Sequence, residues 1–105
     1  MTKQDDSMVF LFPKECGALE VDELRKRIIQ QIELNKPSKV IFDLRQCTFM
    51  DSSGVGFILG RYKQLTQWNG ELILYGICPN VGKVLRLSGI YSLLTCLDKE
   101  ECNDA

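Results

Sequence analysis

The chain has 105 residues, of which 45% are apolar and 26% charged, with a net charge of -1. That length fits one domain with one modest core. The charge balance argues against electrostatic nucleic-acid binding, which needs a basic surface to neutralise phosphates. No apolar run approaches the roughly 20 residues of a membrane-spanning helix. The start, Met1–Ser7, is polar and acidic, unlike a secretory signal, and predicts a cytoplasmic protein.

There is no His, and the five Cys stand at 16, 47, 78, 96 and 102. None forms a C-x-x-C pair. A zinc site without His needs Cys in close pairs, so no metal is expected. An odd number in a cytosolic chain reads as reduced thiols. Cys47, Cys78 and Cys96 fall near apolar runs and should act as small core residues.

In chain order, Met8–Phe12 is a short β-rich run stopped by Pro13 and predicts a strand. Lys14 to Gly17 reads as a turn. From Val21 to about Asn35 the spacing predicts an amphipathic helix, with Val21, Leu24, Ile28 and Ile32 inward. Asp22–Lys26 and Glu23–Arg27 are i,i+4 acid-to-base pairs on its solvated face. Asn35-Lys36-Pro37-Ser38 ends it. Lys39–Leu44 predicts the second strand, and Arg45–Met50 a loop. A second helix starts at the Asp51-Ser52-Ser53 corner and runs to about Trp68. It carries Val55, Ile58, Leu59, Tyr62 and Leu65 at helical spacing. Gly70 is the expected left-handed stop. Glu71–Ile77 predicts the third strand. A short helix follows over Val81–Ser88, with Asn80 as N-cap and Gly89 as its end. Ser92–Leu97 holds a last strand. Residues 1–7 and 98–105 are polar and predict frayed ends.

The order is β-α-β-α-β-α-β with short connections. It predicts an α/β fold with a mainly parallel four-stranded sheet and right-handed crossovers.

No constellation supports an enzyme. A Ser nucleophile needs a base, and the chain has no His for a Ser-His-Asp arrangement. The G-x-S-x-G elbow is absent. Gly54-x-Gly56-x-x-x-Gly60 matches neither nucleotide-binding glycine pattern, so no cofactor is expected. Gly56 and Gly60, four apart, instead suggest a helix face that approaches its neighbours closely. Each costs about 1 kcal/mol relative to Ala.

The corner Asp51-Ser52-Ser53 has two readings. These residue types cap helices by accepting a hydrogen bond from a free backbone N–H. A hydroxyl at the positive end of a helix is also a place where a phosphate is tolerated. Phosphorylation there would add about -1.5 to -2 charge to a surface holding Asp51 and leave the fold intact.

The stretch Thr48 to Leu65, with Asp51-Ser52-Ser53-Gly54-Val55-Gly56 at its centre, resembles the signature of STAS-domain anti-sigma-factor antagonists of the stage II sporulation protein AA type. The likeness continues through Gly70-Glu71, Pro79 and Leu87-Ser88-Gly89-Ile90. It implies a single STAS domain over residues 1–105 that takes part in sporulation and transcription regulation. It also implies a mechanism. The unphosphorylated protein binds an anti-sigma factor that is a serine kinase, and so frees the sigma factor. The kinase phosphorylates Ser52, binding is switched off, and a PP2C-type phosphatase resets the protein. Asp51, Ser53, Gly54 and Glu15 would belong to the partner-facing surface. The alternative is a STAS module that works as a non-switching scaffold or stress-signalling interaction domain.

The N-terminal part departs from the family pattern. An extra first strand is expected there, and Met1–Ser7 is too short and polar to supply it. The family's Gly-Glu-Leu-Asp turn is here Lys14-Glu15-Cys16-Gly17, with the Glu kept and the Asp replaced by Gly17. The missing strand would leave an edge open at Met8–Phe12, and open edges invite pairing, including into a homodimer. The resemblance implies helices mostly on one sheet face, yet Val40-Ile41-Phe42 and Leu72-Ile73-Leu74 are apolar toward both.

Overall fold

The computed structural model describes residues 6–97. Cys102, the expected frayed end at 98–105 and most of the N-terminal stretch 1–7, expected to be frayed and too short for the family's extra strand, lie outside them. The elements are β1 (Ser7–Leu11), β2 (Glu15–Cys16), α1 (Ala18–Leu24), a π-helical turn (Arg25–Ile29) and α2 (Gln30–Asn35). There follow β3 (Lys39–Asp43), β4 (Phe49–Met50), α3 (Ser52–Thr66) and β5 (Glu71–Tyr75). The chain then forms α4 (Pro79–Ser88), a 3-10 turn (Ile90–Ser92) and β6 (Thr95–Leu97).

Strands β1-β3-β5-β6 form one parallel sheet in that order. This is the expected α/β architecture. The structure adds a second, two-stranded parallel sheet, in which Glu15 pairs with Phe49 and Cys16 with Met50. Lys14–Gly17 is therefore more than a turn, and Arg45–Met50 more than a loop. Strands of two residues are too short to show alternation. Tertiary hydrogen bonds specify them: Thr48 N–H donates to the Lys14 carbonyl at 2.8 Å, and Asp51 N–H to the Cys16 carbonyl at 3.4 Å.

The helix expected from Val21 starts three residues earlier, at Ala18. The Glu20 carboxylate accepts the Gly17 N–H at 2.9 Å and so satisfies a donor at the helix start. Val21, Leu24, Ile28 and Ile32 are buried, as their spacing predicts. Asp22 and Lys26 pair at 3.7 Å. Among the described residues Glu23 and Arg27 do not. The π turn sits mid-helix. Gln64 of α3, itself buried, donates to the Ile29 carbonyl at 3.2 Å and to Glu33 at 2.9 Å. That pair of bonds ties α3 to the end of the π turn.

Other boundaries differ for local reasons. The left-handed residue after α3 is Asn69 (φ 60), not Gly70. Gly70 serves close approach instead, since a Cβ there would come 2.9 Å from Leu65 Cδ2 and 3.0 Å from the Pro37 carbonyl. Strand β5 stops at Tyr75 because Gly76 (φ 78) turns the chain under the Arg45 side chain. Helix α4 starts at Pro79 with Cys78 as N-cap, not at Val81 with Asn80. Proline suits the first helical position, where its missing N–H has no partner to lose. Gly89 (φ 79) ends the helix, as expected.

The helices pack on one face of the sheet. Phe10, Phe42 and Leu74 share a register row there. The Phe42 ring lies 4.7 Å from Phe12 and 6.0 Å from Phe57 of α3. The other face is covered unevenly. Arg45 lies 4.8 Å over the Tyr75 ring, whereas Val9 and Leu11 of β1 are 61% and 56% exposed. Arg45 is held in place by Asp43, which accepts from its Nε at 3.1 Å and from its terminal nitrogen at 2.9 Å.

These hydrogen bonds from Arg45 hold the Asp43 carboxyl below its ordinary pKa, against the opposing effect of burial. A depressed folded pKa stabilises fully above the unfolded value and loses that contribution as pH falls through the folded value. Asp43→Asn should lower stability by about 1–2 kcal/mol at pH 7 in urea unfolding. The gap from wild type should close on acidification below the carboxylate range. A gap that widens there would overturn the assignment.

Candidate functional site

The Asp51–Gly54 corner is built from three segments. Asp51 has extended backbone (φ -112, ψ -169) and is the N-cap of α3. Its Oδ1 accepts the Ser53 N–H at 2.8 Å. Its carbonyl accepts from Gly54 N–H at 3.0 Å and from Val55 N–H at 3.2 Å. The β2–β4 pairing then lays Glu15–Gly17 alongside Phe49–Asp51.

Ser52 is the first residue of α3 and is exposed. Among the described residues its hydroxyl makes no hydrogen bond. Ser53 is half-buried and gives its N–H to the cap. Capping therefore belongs to Asp51, and the Ser52 side chain is left for another task. With no His anywhere in the chain, this hydroxyl lacks the usual base that would make it a nucleophile. It suits a group that receives chemistry from a partner.

Gly54 differs from its neighbours. It is buried, and a Cβ there would fall 2.6 Å from Met50 Cγ and 2.9 Å from the Cys16 carbonyl. It lies beneath the corner, not on it. Glu15 is exposed on β2, opposite Phe49, whose ring is half exposed. At Gly17 a Cβ would lie 3.3 Å from Asp51 Oδ2 and 3.4 Å from Glu20 Oε1. The two carboxylates converge there, so an Asp side chain at 17 would enter ground already negative.

Cys16, under the corner, is fully buried. Burial pushes its thiol up to about 12, helped by Cys47, Asp51 and Glu20. It is no thiolate nucleophile. Cys47 is also buried, and its thiol faces the Phe49 carbonyl at 3.3 Å. Cys78 and Cys96 are half-buried. Among the described residues no cluster of His, Cys, Asp or Glu could hold a metal ion.

The expectation for Gly56 and Gly60 is corrected. Apart from adjacent residues and the helix's own backbone, no atom lies within 4 Å of a Cβ built at either. They do not let α3 approach its neighbours within the chain; Gly54 does that. Leu87 of α4, named in the sequence only within the stretch that carries the family likeness, is 89% exposed. Its position three residues past Val84, on a short helix with Val81 and Leu85 inside, leaves this apolar side chain on the rim.

A four-stranded parallel sheet with helices on one face and a serine at a capped helix start defines a class. The chain belongs to the STAS domain family, whose profile matches residues 1–101. It is 34% identical over 79 residues to the anti-sigma F factor antagonist of Paenibacillus polymyxa, covering 75% of this chain and 68% of that one. The fold resembles that of the anti-sigma factor antagonist SpoIIAA in its unphosphorylated form, with a TM-score of 0.79 and 30% identity over 98% of this chain and 90% of the other. For the Bacillus cell fate determinant SpoIIAA in the phosphorylated form the TM-score is 0.72 and the identity 29%, over 99% and 94% of the two chains.

The two kinds of glycine respond oppositely to one methyl group. Gly54→Ala should destabilise by about 1–3 kcal/mol through overpacking. Gly56→Ala should stabilise by up to about 1 kcal/mol through helix propensity. Asp51→Ala should cost about 1 kcal/mol as a lost cap. Urea unfolding of the three variants checks the order, and a destabilising Gly56→Ala would contradict the open space seen at that site.

Proposed function

We propose that this chain is a single STAS domain that acts as an anti-sigma-factor antagonist and is switched by phosphorylation of Ser52. The unphosphorylated form binds a serine-kinase anti-sigma factor and frees the sigma factor. The kinase transfers phosphate to Ser52, binding is lost, and a PP2C-type phosphatase restores the protein. The chain is then a regulatory substrate, not an enzyme. Asp51, Ser53 and Glu15 surround the reacting hydroxyl on the partner-facing surface, and Gly54 seats them.

The observation that carries this reading is the exposed Ser52 hydroxyl beside a helix cap already supplied by Asp51. Phosphate can be added there without removing a structural bond. Relatives support the partner class: the Paenibacillus polymyxa protein is an anti-sigma F factor antagonist, and SpoIIAA takes a similar fold in its phosphorylated form.

Incubation with ATP and the chain's own anti-sigma kinase should place phosphate on Ser52, and Ser52→Ala should abolish it. Labelling that persists in Ser52→Ala would sink the site assignment. Ser52→Asp should weaken kinase binding while stability stays within about 0.5 kcal/mol of wild type. A large loss of stability would instead give Ser52 the capping role.

A homodimer belongs to the same proposal. Among the described residues β1 has a sheet neighbour on one side only, and Ser7–Leu11 carries no charge to blunt the other. Sedimentation should show self-association that Val9→Lys reduces. A strict monomer at high concentration would count against pairing through β1.

A further inference from the structure

Two cysteines from separate segments meet at one end of the sheet. Cys47 lies in the turn after β3 and Cys78 in the turn after β5. Parallel pairing sends both turns off the same end, because Asp43 pairs with Tyr75 and the cysteines follow them closely. The two turns touch, since a Cβ at Gly76 would come 3.3 Å from Arg45 Cα. The Cys78 thiol donates to the Cys47 carbonyl at 3.4 Å, and the Cys47 thiol donates to the Phe49 carbonyl at 3.3 Å. Burial pushes the Cys47 thiol up, and the neighbouring Cys78 adds to this, which puts the two sulfurs within electrostatic reach of each other.

Their access to solvent differs. Cys47 is fully buried. Cys78 is half-buried and lines an open cavity of about 460 Å³, walled by α4, the 3-10 turn and β6. A small oxidant in that cavity reaches Cys78 and not Cys47. Cys96 of β6 lines the same cavity, but the Cys78 thiol is directed at the Cys47 backbone. All the described cysteines are free.

We propose that Cys78 and Cys47 form a reversible disulfide when a hydroperoxide enters this cavity, with Cys78 reacting first and Cys47 resolving it. The Cys78 thiol gives up its proton, its sulfur attacks one peroxide oxygen, and the O–O bond breaks. Cys78 becomes a sulfenic acid, and hydrogen peroxide leaves its other oxygen as water. The Cys47 sulfur then attacks the Cys78 sulfur. The S–O bond breaks, and the departing hydroxide takes the Cys47 proton as a second water. The two thiols lose two electrons and two protons in all, and the hydroperoxide receives them. Closing the bond takes the Cys47 sulfur from the Phe49 carbonyl, two residues before the Asp51 cap. Oxidation then loosens the strand that leads into the corner. This chemistry is independent of the antagonist reading.

The test treats the full, reduced chain with hydrogen peroxide at low protein concentration, then maps its peptides by mass spectrometry without reduction. Wild type should lose the mass of two hydrogen atoms, link Cys47 to Cys78, and regain both thiols with a dithiol reductant. Cys47→Ala should instead gain oxygen at Cys78, and Cys78→Ser should leave Cys47 unlinked. In oxidised wild type the Asp51 amide should exchange with solvent at least about three-fold faster. A link from Cys78 to Cys96 or Cys102, or a disulfide between two copies, would overturn the pairing. So would a wild-type chain that ends with sulfinic acid at Cys78, or one that peroxide leaves unchanged. Unchanged exchange at Asp51 in the oxidised chain would overturn the coupling to the corner.

Discussion

There is no room for a Cβ at Gly54, and the geometry of the corner follows from that. The first turn of α3 sits directly on the Cys16 backbone and the Met50 side chain. That contact brings β2 against β4 and sets Asp51 where its carboxylate meets the Ser53 N–H. A methyl at 54 would have to displace backbone, which is costly in a close-packed interior. The corner is therefore rigid for a reason located one layer below the surface it presents.

A second constraint acts at the far side of α3. The π turn packs an extra residue into the first helical rod, and Gln64 accepts the consequence by hydrogen-bonding to the Ile29 carbonyl. The same amide reaches Glu33, and the bond from Gln64 is the main reason that carboxyl lies below its ordinary pKa. Gln64 is one of two buried polar residues among those described, the other being Asp43. Both are fully engaged, as buried polar groups must be. They sit on opposite faces of the sheet. Gln64 links helices on one face, and Asp43 holds Arg45 over Tyr75 on the other.

Much of this was legible in the sequence because periodicity reports burial directly. Val21, Leu24, Ile28 and Ile32 declared their face, and the alternation of strands with helices declared a parallel sheet. That the Asp51-Ser52-Ser53 corner caps a helix followed from residue chemistry, while the choice of Asp51 came from the structure. What stayed hidden depends on neighbours distant in sequence. The β2–β4 bridge is too short for any pattern and joins residues more than 30 apart. One miss is local instead: Glu20 lengthens its helix through a bond to Gly17 three residues earlier, which helix propensity alone does not record. The glycines are the sharpest case. Gly54, Gly56 and Gly60 read alike as small residues in one helix, but only the register of α3 on β2 decides that the first is buried and the others open. Spacing says which residues share a face, but not what that face meets.

The division of tasks between Asp51 and Ser52 explains why a serine at this position suits a switch. The dipole of α3 favours negative charge at its start, by about 0.3–1 kcal/mol for an exposed group. Asp51 already takes that place and the Ser53 N–H with it. A phosphate on the N-cap itself would compete with the bond that starts the helix, and each round of modification would remake the fold. One residue further on, the Ser52 side chain is exposed, and under the proposed phosphorylation the helix would keep its cap. The added charge of about -1.5 to -2 then acts mostly outward, beside the carboxylates of Asp51 and Glu20 that converge on Gly17. A modification that leaves folding nearly unchanged but alters the surface field has its largest effect on a bound partner. In the proposed switch, that would place the free-energy difference in the complex instead of in this chain.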